Sequence, residues 1–387
     1  MSSQVKVVAQ YFPQLHAIAE NDRWWGKGFT DWVNVRRSEP QFPGHRQPRV
    51  PRGGDYYDQS SIEVVRRQAE LARAHGVDAF CHYHYWFDGT HLLQTPTDLL
   101  LANKDIDIQF CLNWANETWS RRWDGMDHHI LIAQKHPPTV ESWRRHFDCL
   151  IKYWLDERHM RIDGRPVFLI YRAKNLVDLP RMFEYFQTRA SREYGLPGLY
   201  LVNVVQHGFP PWELLRHFDA AMLFQPFAAT YSGKLSSRSV GGRWWLPVAR
   251  TASRVLPRGL RSNAHRELER PRLYNYDEVW EEILAWRPER HLPVMKGAWV
   301  DWDNTPRYRN RATVYDGGTP EKFGRYMRRL LDQVASAPYA LPFVFVNAWN
   351  EWAEGAYLEP DEVHGTAYLE ALAAARGAEP APAERQP

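Results

Sequence analysis

This sequence predicts the α/β class: a (β/α)8 barrel with long loops after its strands and a basic insert after the sixth. Three observations carry that prediction. Eight short apolar runs alternate with segments of helical period, the pattern of a parallel sheet with helices outside it. Polar and aromatic residues collect at the C-terminal ends of the runs, where such barrels build their active sites. No GxGxxG follows any run, which argues against a doubly wound open sheet. A chain of 387 residues is long enough for one such barrel.

The first strand is expected over residues 5–12 (VKVVAQYF), ending at Tyr11. A polar, Trp-rich excursion over 14–57 is too long for an ordinary connection and reads as a wall or lid. Ser60 or Ser61 caps a helix with Ile62, Val65, Ala69 and Ala72 on one stripe, stopped by Gly76. Residues 77–87 (VDAFCHYHYWF) form the second strand and deliver His84 and Trp86. A weak helix at 99–104 precedes the third strand, 106–114, which ends in Trp114 with Asn116 and Glu117 beyond. A helix over 139–158 carries Trp143, Phe147, Leu150 and Trp154 on one face. The fourth strand, 166–171, ends at Tyr171, and a helix over 179–194 closes at Gly195. The fifth strand spans 199–205; the sixth, 220–225, ends at Gln225. A helix at 276–286 follows the insert. The seventh strand, 293–299, ends at Trp299, just before Asp301. Thr319 and Pro320 start the next helix. The eighth strand, 341–349, carries Asn347 and Trp349 and is followed by an Ala-rich helix. The expected barrel covers residues 1–376, and 377–387 (GAEPAPAERQP) reads as a disordered tail.

The last strand breaks from LPFVFV into NAWNEWAEG, with Asn350, Glu351 and Glu354 among indoles. Carboxylates three residues apart on a helical turn have Cβ atoms about 5–6 Å apart. Retaining glycosidases hold two carboxyl groups about 5–5.5 Å apart. The alternative is a solvated pair capping a turn. Eighteen Trp, 19 Tyr and 17 Phe favour a sugar binder, since aromatic faces stack on sugar rings; an aromatic-rich core is the plainer account.

The net charge of +3 is uneven: residues 226–272 hold ten Lys or Arg against two Glu. Trp244, Trp245, Leu246, Val248, Val255 and Leu256 sit among those arginines, as at a membrane interface or facing a lipid-linked or acidic glycan. A solvated loop is the simpler reading. No nucleic-acid motif accompanies the charge. Three scattered cysteines suit a reducing compartment. The first residues lack signal-peptide form, and no run of apolar residues is long enough to span a bilayer. The expected location is cytoplasmic, with peripheral contact at the inner membrane.

Five strings in order carry a family resemblance: YFPQLHAIAENDRWWGKGFTDW, FCHYHYWFDG, CLNWANETWSRRWDG, KGAWVDWDNTPR and NAWNEWAEG. With them the chain resembles, over roughly residues 5–368, the WbsX-like proteins of bacterial surface-polysaccharide loci, grouped with glycoside hydrolase family 99-type barrels. His82 stands where that family more often has Tyr. The resemblance implies a retaining, endo-acting enzyme. It places the catalytic pair at Glu351, a base on the sugar 2-hydroxyl that leads to an epoxide intermediate, and Glu354, the acid. It implies that His84 and Trp86 line the sugar site.

Rival readings use the same residues. His82, His84 and His207 suggest a metal site, but no sixth-strand histidine completes it. Asp301-Trp302-Asp303 is a DxD, the metal–nucleotide motif of many sugar transferases; the reading preferred for Asp301 is contact with a sugar hydroxyl or with an arginine such as Arg307. Glu117 is a third candidate acid, or the partner of Arg121 or Arg122. The expectation is therefore a glycosidic-bond enzyme acting on an oligosaccharide or polysaccharide, with no metal or cofactor. A glycosyltransferase and a non-catalytic glycan-binding barrel are the alternatives.

Overall fold

The computed structural model describes residues 4–121, 126–239, 270–288 and 292–377. Eight parallel strands close into a barrel. They are β1 (Lys6–Tyr11), β2 (Ala79–Phe87), β3 (Gln109–Trp114), β4 (Arg165–Ile170), β5 (Tyr200–Val205), β6 (Ala220–Leu223), β7 (Val294–Trp299) and β8 (Ala340–Asn347). Each pairs with its sequence neighbours, and β8 closes on β1 with Val8 opposite Phe345. The expected strands are all present, with ends moved by up to three residues.

The helices are α1 (Ile62–Ala74), α2 (Thr95–Ala102), α3 (Val140–Trp154), α4 (Leu179–Tyr194), α5 (Tyr276–Ala285), α6 (Pro320–Ser336) and α7 (Ala367–Ala375). Their starts follow local chemistry. Thr139 accepts from the Ser142 N–H, Thr319 from the Lys322 N–H, and Asn275 from those of Asp277 and Glu278. Gly195 ends α4 in the left-handed region. The α2 helix starts earlier than its apolar run suggests, because Pro96 fits the first turn.

Side chains alternate across the barrel wall. Val8, Ala79, Cys81, Cys111, Val167, Leu169, Val202, Met222, Met295, Phe343 and Phe345 fill the lumen. Val7, Phe80, Phe110, Leu112, Phe168, Ile170, Leu201, Val344 and Val346 face the helices. The excursion after β1 folds over the C-terminal end of the strands with two short helices, Ala19–Trp25 and Trp32–Arg36. It is tied to the loop after β7: His45 Nε2 and Gln47 Nε2 lie 2.8 and 2.6 Å from Asp303 Oδ2, and Arg49 pairs with Asp301 at 2.8 Å. The insert's Trp244, Trp245, Leu246, Val248, Val255 and Leu256 lie outside the described residues, as do 378–387 of the tail. Among the described residues no helix is long and apolar enough to cross a membrane.

Candidate active site

A cavity of about 520 Å³ opens at the C-terminal end of the strands. Every strand contributes to its wall: Phe12 after β1, Tyr83 and Tyr85 on β2, Glu117 after β3, Tyr171 after β4, Gln206 after β5, Phe224 after β6, Arg307 after β7, and Glu351 with Glu354 after β8. The indoles in the wall are Trp25, Trp119 and Trp302. The size lies within the range usual for small-molecule sites, about 300–1,000 Å³.

The two glutamates sit on a short 3-10 turn, Trp352–Glu354, entered from Glu351 and left through Gly355. Gly355 has φ +64°, and a Cβ there would lie 2.9 Å from the Asp303 backbone nitrogen. Only glycine allows that approach, across which the Asp303 N–H donates to the Glu354 carbonyl at 2.7 Å. Asn350 holds the other side of the turn. Its amide accepts from the Phe12 N–H at 2.8 Å and donates to the Phe12 carbonyl at 3.0 Å.

Both carboxyls face one guanidinium. Arg307 Nη1 donates to Glu354 Oε1 at 2.5 Å and to Glu351 Oε1 at 3.3 Å, while Nη2 donates to Asp31 Oδ2 at 2.6 Å. The glutamates thus share one nitrogen. Two oxygens held at 2.5 and 3.3 Å from one nitrogen can be no farther apart than those two distances together, short of the about 6.5–9.5 Å that inverting glycosidases need. Burial, then the charge of Glu354, pushes Glu351 well above the usual carboxylate range against the pull of Arg307. Burial also raises Glu354, with Arg307 opposing it. Tyr83 and Tyr85 are held neutral, above all by burial. Across the cavity Glu117 is bound to Arg172 Nε at 2.8 Å. Asn21 is fully buried, lines the cavity, and has neither amide atom paired. The pocket therefore combines a coupled acid pair, phenols and amides able to bind hydroxyls, and aromatic faces.

The family model described as "Glycosyltransferase WbsX" matches residues 7–372. The chain belongs to the WbsX family. It is 37% identical over 375 residues to "Uncharacterized protein WxcX" of Xanthomonas campestris pv. campestris strain B100, and equally to that of a second strain. The match covers 94% of this chain and 48% of the relative, so the chain spans about half the length of the curated relatives it matches. A solved "Glycoside hydrolase-like protein" superposes with a TM-score of 0.55 at 13% identity, covering 97% of this chain and 95% of that one. The GH99 endo-alpha-mannosidase from Bacteroides thetaiotaomicron gives 0.53 at 12% identity, covering 96% and 95%. These likenesses show the fold, a TIM barrel.

Of the residues expected from the sequence, this WbsX-family structure brings Glu117, Tyr171, Glu351 and Glu354 to the cavity. The others lie elsewhere, mostly for one reason: alternation sends them to the helix side of the wall. Tyr11 donates to Gln68 Oε1 at 2.6 Å beneath α1. His84 Nε2 lies 3.0 Å from His146 Nε2 of α3, and Trp86 stacks on that imidazole at 5.2 Å. Trp114 packs on the same ring at 4.3 Å. Trp299 meets Tyr276 of α5 at 4.6 Å, and Trp349 meets Phe80 at 5.2 Å. Trp352 also turns away, donating to Glu359 Oε2 at 2.7 Å.

The amides serve the frame. Asn116 exchanges two bonds with the Arg172 backbone, Gln225 accepts from the Ala229 N–H at 3.1 Å, and Asn347 donates to the Gln225 carbonyl at 3.1 Å. Asp301 pairs with Arg49, whereas the arginine offered to it, Arg307, is held by Asp31. Glu117 pairs with Arg172, and the partners expected for it, the Arg121 side chain and Arg122, lie outside the described residues. The proposed HxH does not meet His207: His82 and His84 face the helices, and His207 lines the cavity. His84, His91 and Cys149 bring one donor atom each within 4.8 Å of one another, but His84 bonds to His146, and Cys149 Sγ lies 3.4 Å from His91 Nδ1.

Sequence reasoning missed Tyr83, Tyr85, Asn21, Asp31 and Gln206. A signal existed for the tyrosines: with Cys81 assigned to the packed lumen, residues 83 and 85 must share its side.

Proposed function

We propose that this chain cleaves or transfers glycosidic bonds of a bacterial surface polysaccharide, or of its oligosaccharide precursor, by a retaining paired-carboxylate mechanism. The observation that carries the reading is the Glu351–Glu354 pair, bridged by one arginine nitrogen and open to a cavity walled by phenols and indoles. One carboxyl would give its proton to the glycosidic oxygen as the bond from that oxygen to the anomeric carbon breaks. The other would assist at the anomeric carbon, directly or by taking the proton of the sugar 2-hydroxyl, the route the family resemblance implies. Water would then add at that carbon, giving its proton to the group that acted as acid, as the carbon's bond to the assisting carboxylate breaks or, in the epoxide route, as its bond to the 2-oxygen breaks and that oxygen takes its proton back from the base.

The mannosidase named among the structural neighbours supports a glycan substrate, and α-mannosides are the first to try. The test is a screen of bacterial surface polysaccharides and their oligosaccharides for reducing-end release. Turnover by the wild type that is lost in Glu351→Gln and Glu354→Gln supports the reading. A wild type that binds a glycan and turns it over no faster than either variant makes this a binding barrel. The family model's own description favours a second reading, sugar transfer from a nucleotide donor. Calorimetric binding of sugar nucleotides with divalent-metal dependence would select it.

A further inference from the structure

Three carboxyl groups meet one guanidinium in a buried pocket: Asp31, Glu351 and Glu354 around Arg307. Among the described residues, full ionisation would leave two uncompensated negative charges there, which a low-dielectric site disfavours. One proton must stay, and donor geometry decides where. Asp31, with no exposed surface, has both oxygens served: Oδ2 by Arg307 Nη2 at 2.6 Å and Oδ1 by Asn34 Nδ2 at 2.7 Å. Glu354 receives the short bond from Nη1, at 2.5 Å. Glu351 receives only the long one, at 3.3 Å, and is the more buried of the two glutamates. It is the carboxyl with least support for a charge.

We propose that Arg307, braced by Asp31, is the positioning residue that keeps the glutamate pair at one shared proton, resting on Glu351, with Glu354 ionised. The inference rests on the paired-carboxylate reading above. The directions of titration agree with it: burial and the neighbouring Glu354 raise Glu351. The resemblance makes Glu351 the base and Glu354 the acid. If those roles hold, the proton passes from Glu351 to Glu354 before the glycosidic oxygen is protonated. Arg307 is suited to the task because its fork spans two partners with separate nitrogens, which a lysine cannot do.

Two experiments test this. Neutron diffraction of the deuterated, substrate-free protein near neutral pH should place a deuteron on a Glu351 oxygen and none on Glu354; a deuteron on Glu354, or on neither, overturns the proposal. That result needs no activity, so it stands apart from the fate of the functional reading. The second experiment follows the pH profile of kcat/KM, whose limbs belong to the pair. Arg307→Gln removes a cation and should move both limbs upward by roughly 1–3 units. Asp31→Asn removes an anion and should move both limbs the other way. Arg307→Lys should fall between wild type and Arg307→Gln, and serves in its place should the glutamine variant fail to fold. Limbs that stay put, or move together in both variants, overturn the proposal.

Discussion

The two faces of the barrel wall are built from similar residues and behave as opposites. On β2, His82, His84 and Trp86 face the helices, and Tyr83 and Tyr85 face the lumen. The outward set is packed under the helices: His82 Nδ1 lies 2.9 Å from Thr97 Oγ1, its Nε2 is left without a partner among the described residues, and His84 and Trp86 both pack on His146. Burial holds these imidazoles neutral, His82 down to about 3 and His84 and His146 well below their ordinary value. The lumen set looks into a cavity with a coupled acid pair and an amide, Asn21, that has no partner. One face therefore packs its rings beneath the helices, and the other turns its polar groups to the cavity.

The largest expected effect is on the lumen face. Glu351→Gln and Glu354→Gln should each lower kcat/KM on a glycan substrate by about 10²–10⁴-fold. The melting temperature of Glu351→Gln should not fall, because a neutral amide replaces a carboxyl that burial already drives to its neutral form. Steady-state kinetics with calorimetric melting checks both halves, and a variant crippled in activity only because it unfolds would break the contrast.

On the helix face the reverse is expected. Trp86→Ala should cost about 3–5 kcal/mol of stability, as large-to-small changes at buried aromatics do. Its kcat, corrected for the folded fraction, should stay near wild type. Denaturant titration beside active-site titration measures the two separately.

Acidity sharpens the comparison further. A buried neutral histidine with a lowered folded value leaves the unfolded chain holding more protons below about 6.5, so stability falls as pH falls. Each such histidine contributes up to about 1.4 kcal/mol per pH unit in that window. His82, His84, His146 and His159 all belong to this class. The raised carboxyls of the lumen act with the opposite sign, gaining stability as pH falls toward their unfolded value. Urea midpoints from neutral pH down to about 5 should decline, and His84→Gln with His146→Gln should flatten the slope.

The smallest effect expected is at Asn21. Asn21→Ala should leave stability within about 0.5 kcal/mol, since no bond is lost. It should raise KM about tenfold if the amide binds a sugar hydroxyl, the size of one good hydrogen bond.

How much of this was legible beforehand follows from the same contrast. The barrel was, because eight apolar runs and their spacing state it directly. The glutamate pair was, because NEWAEG ends a buried strand. The wall of the site was not, because strand ends were read by residue type rather than by side. Trp86, Trp114, Trp299 and Trp349 look like sugar platforms in a string of letters, but an indole buries equally well beneath a helix. Had parity been carried from Cys81, Tyr83 and Tyr85 would have replaced His84 and Trp86. Asp31 and Arg307 were beyond reach for another reason: they lie 276 positions apart and meet only because the excursion after β1 folds over the loop after β7.

The account turns on two glutamates close enough to act on one face of one bond. Proton NMR of the first product released from a cleaved glycan reads this directly. The account predicts that the new anomeric centre appears with the configuration of the bond that was cut and only later mutarotates. A first product of opposite configuration would contradict it, because inversion needs carboxyls about 6.5–9.5 Å apart with a water between them.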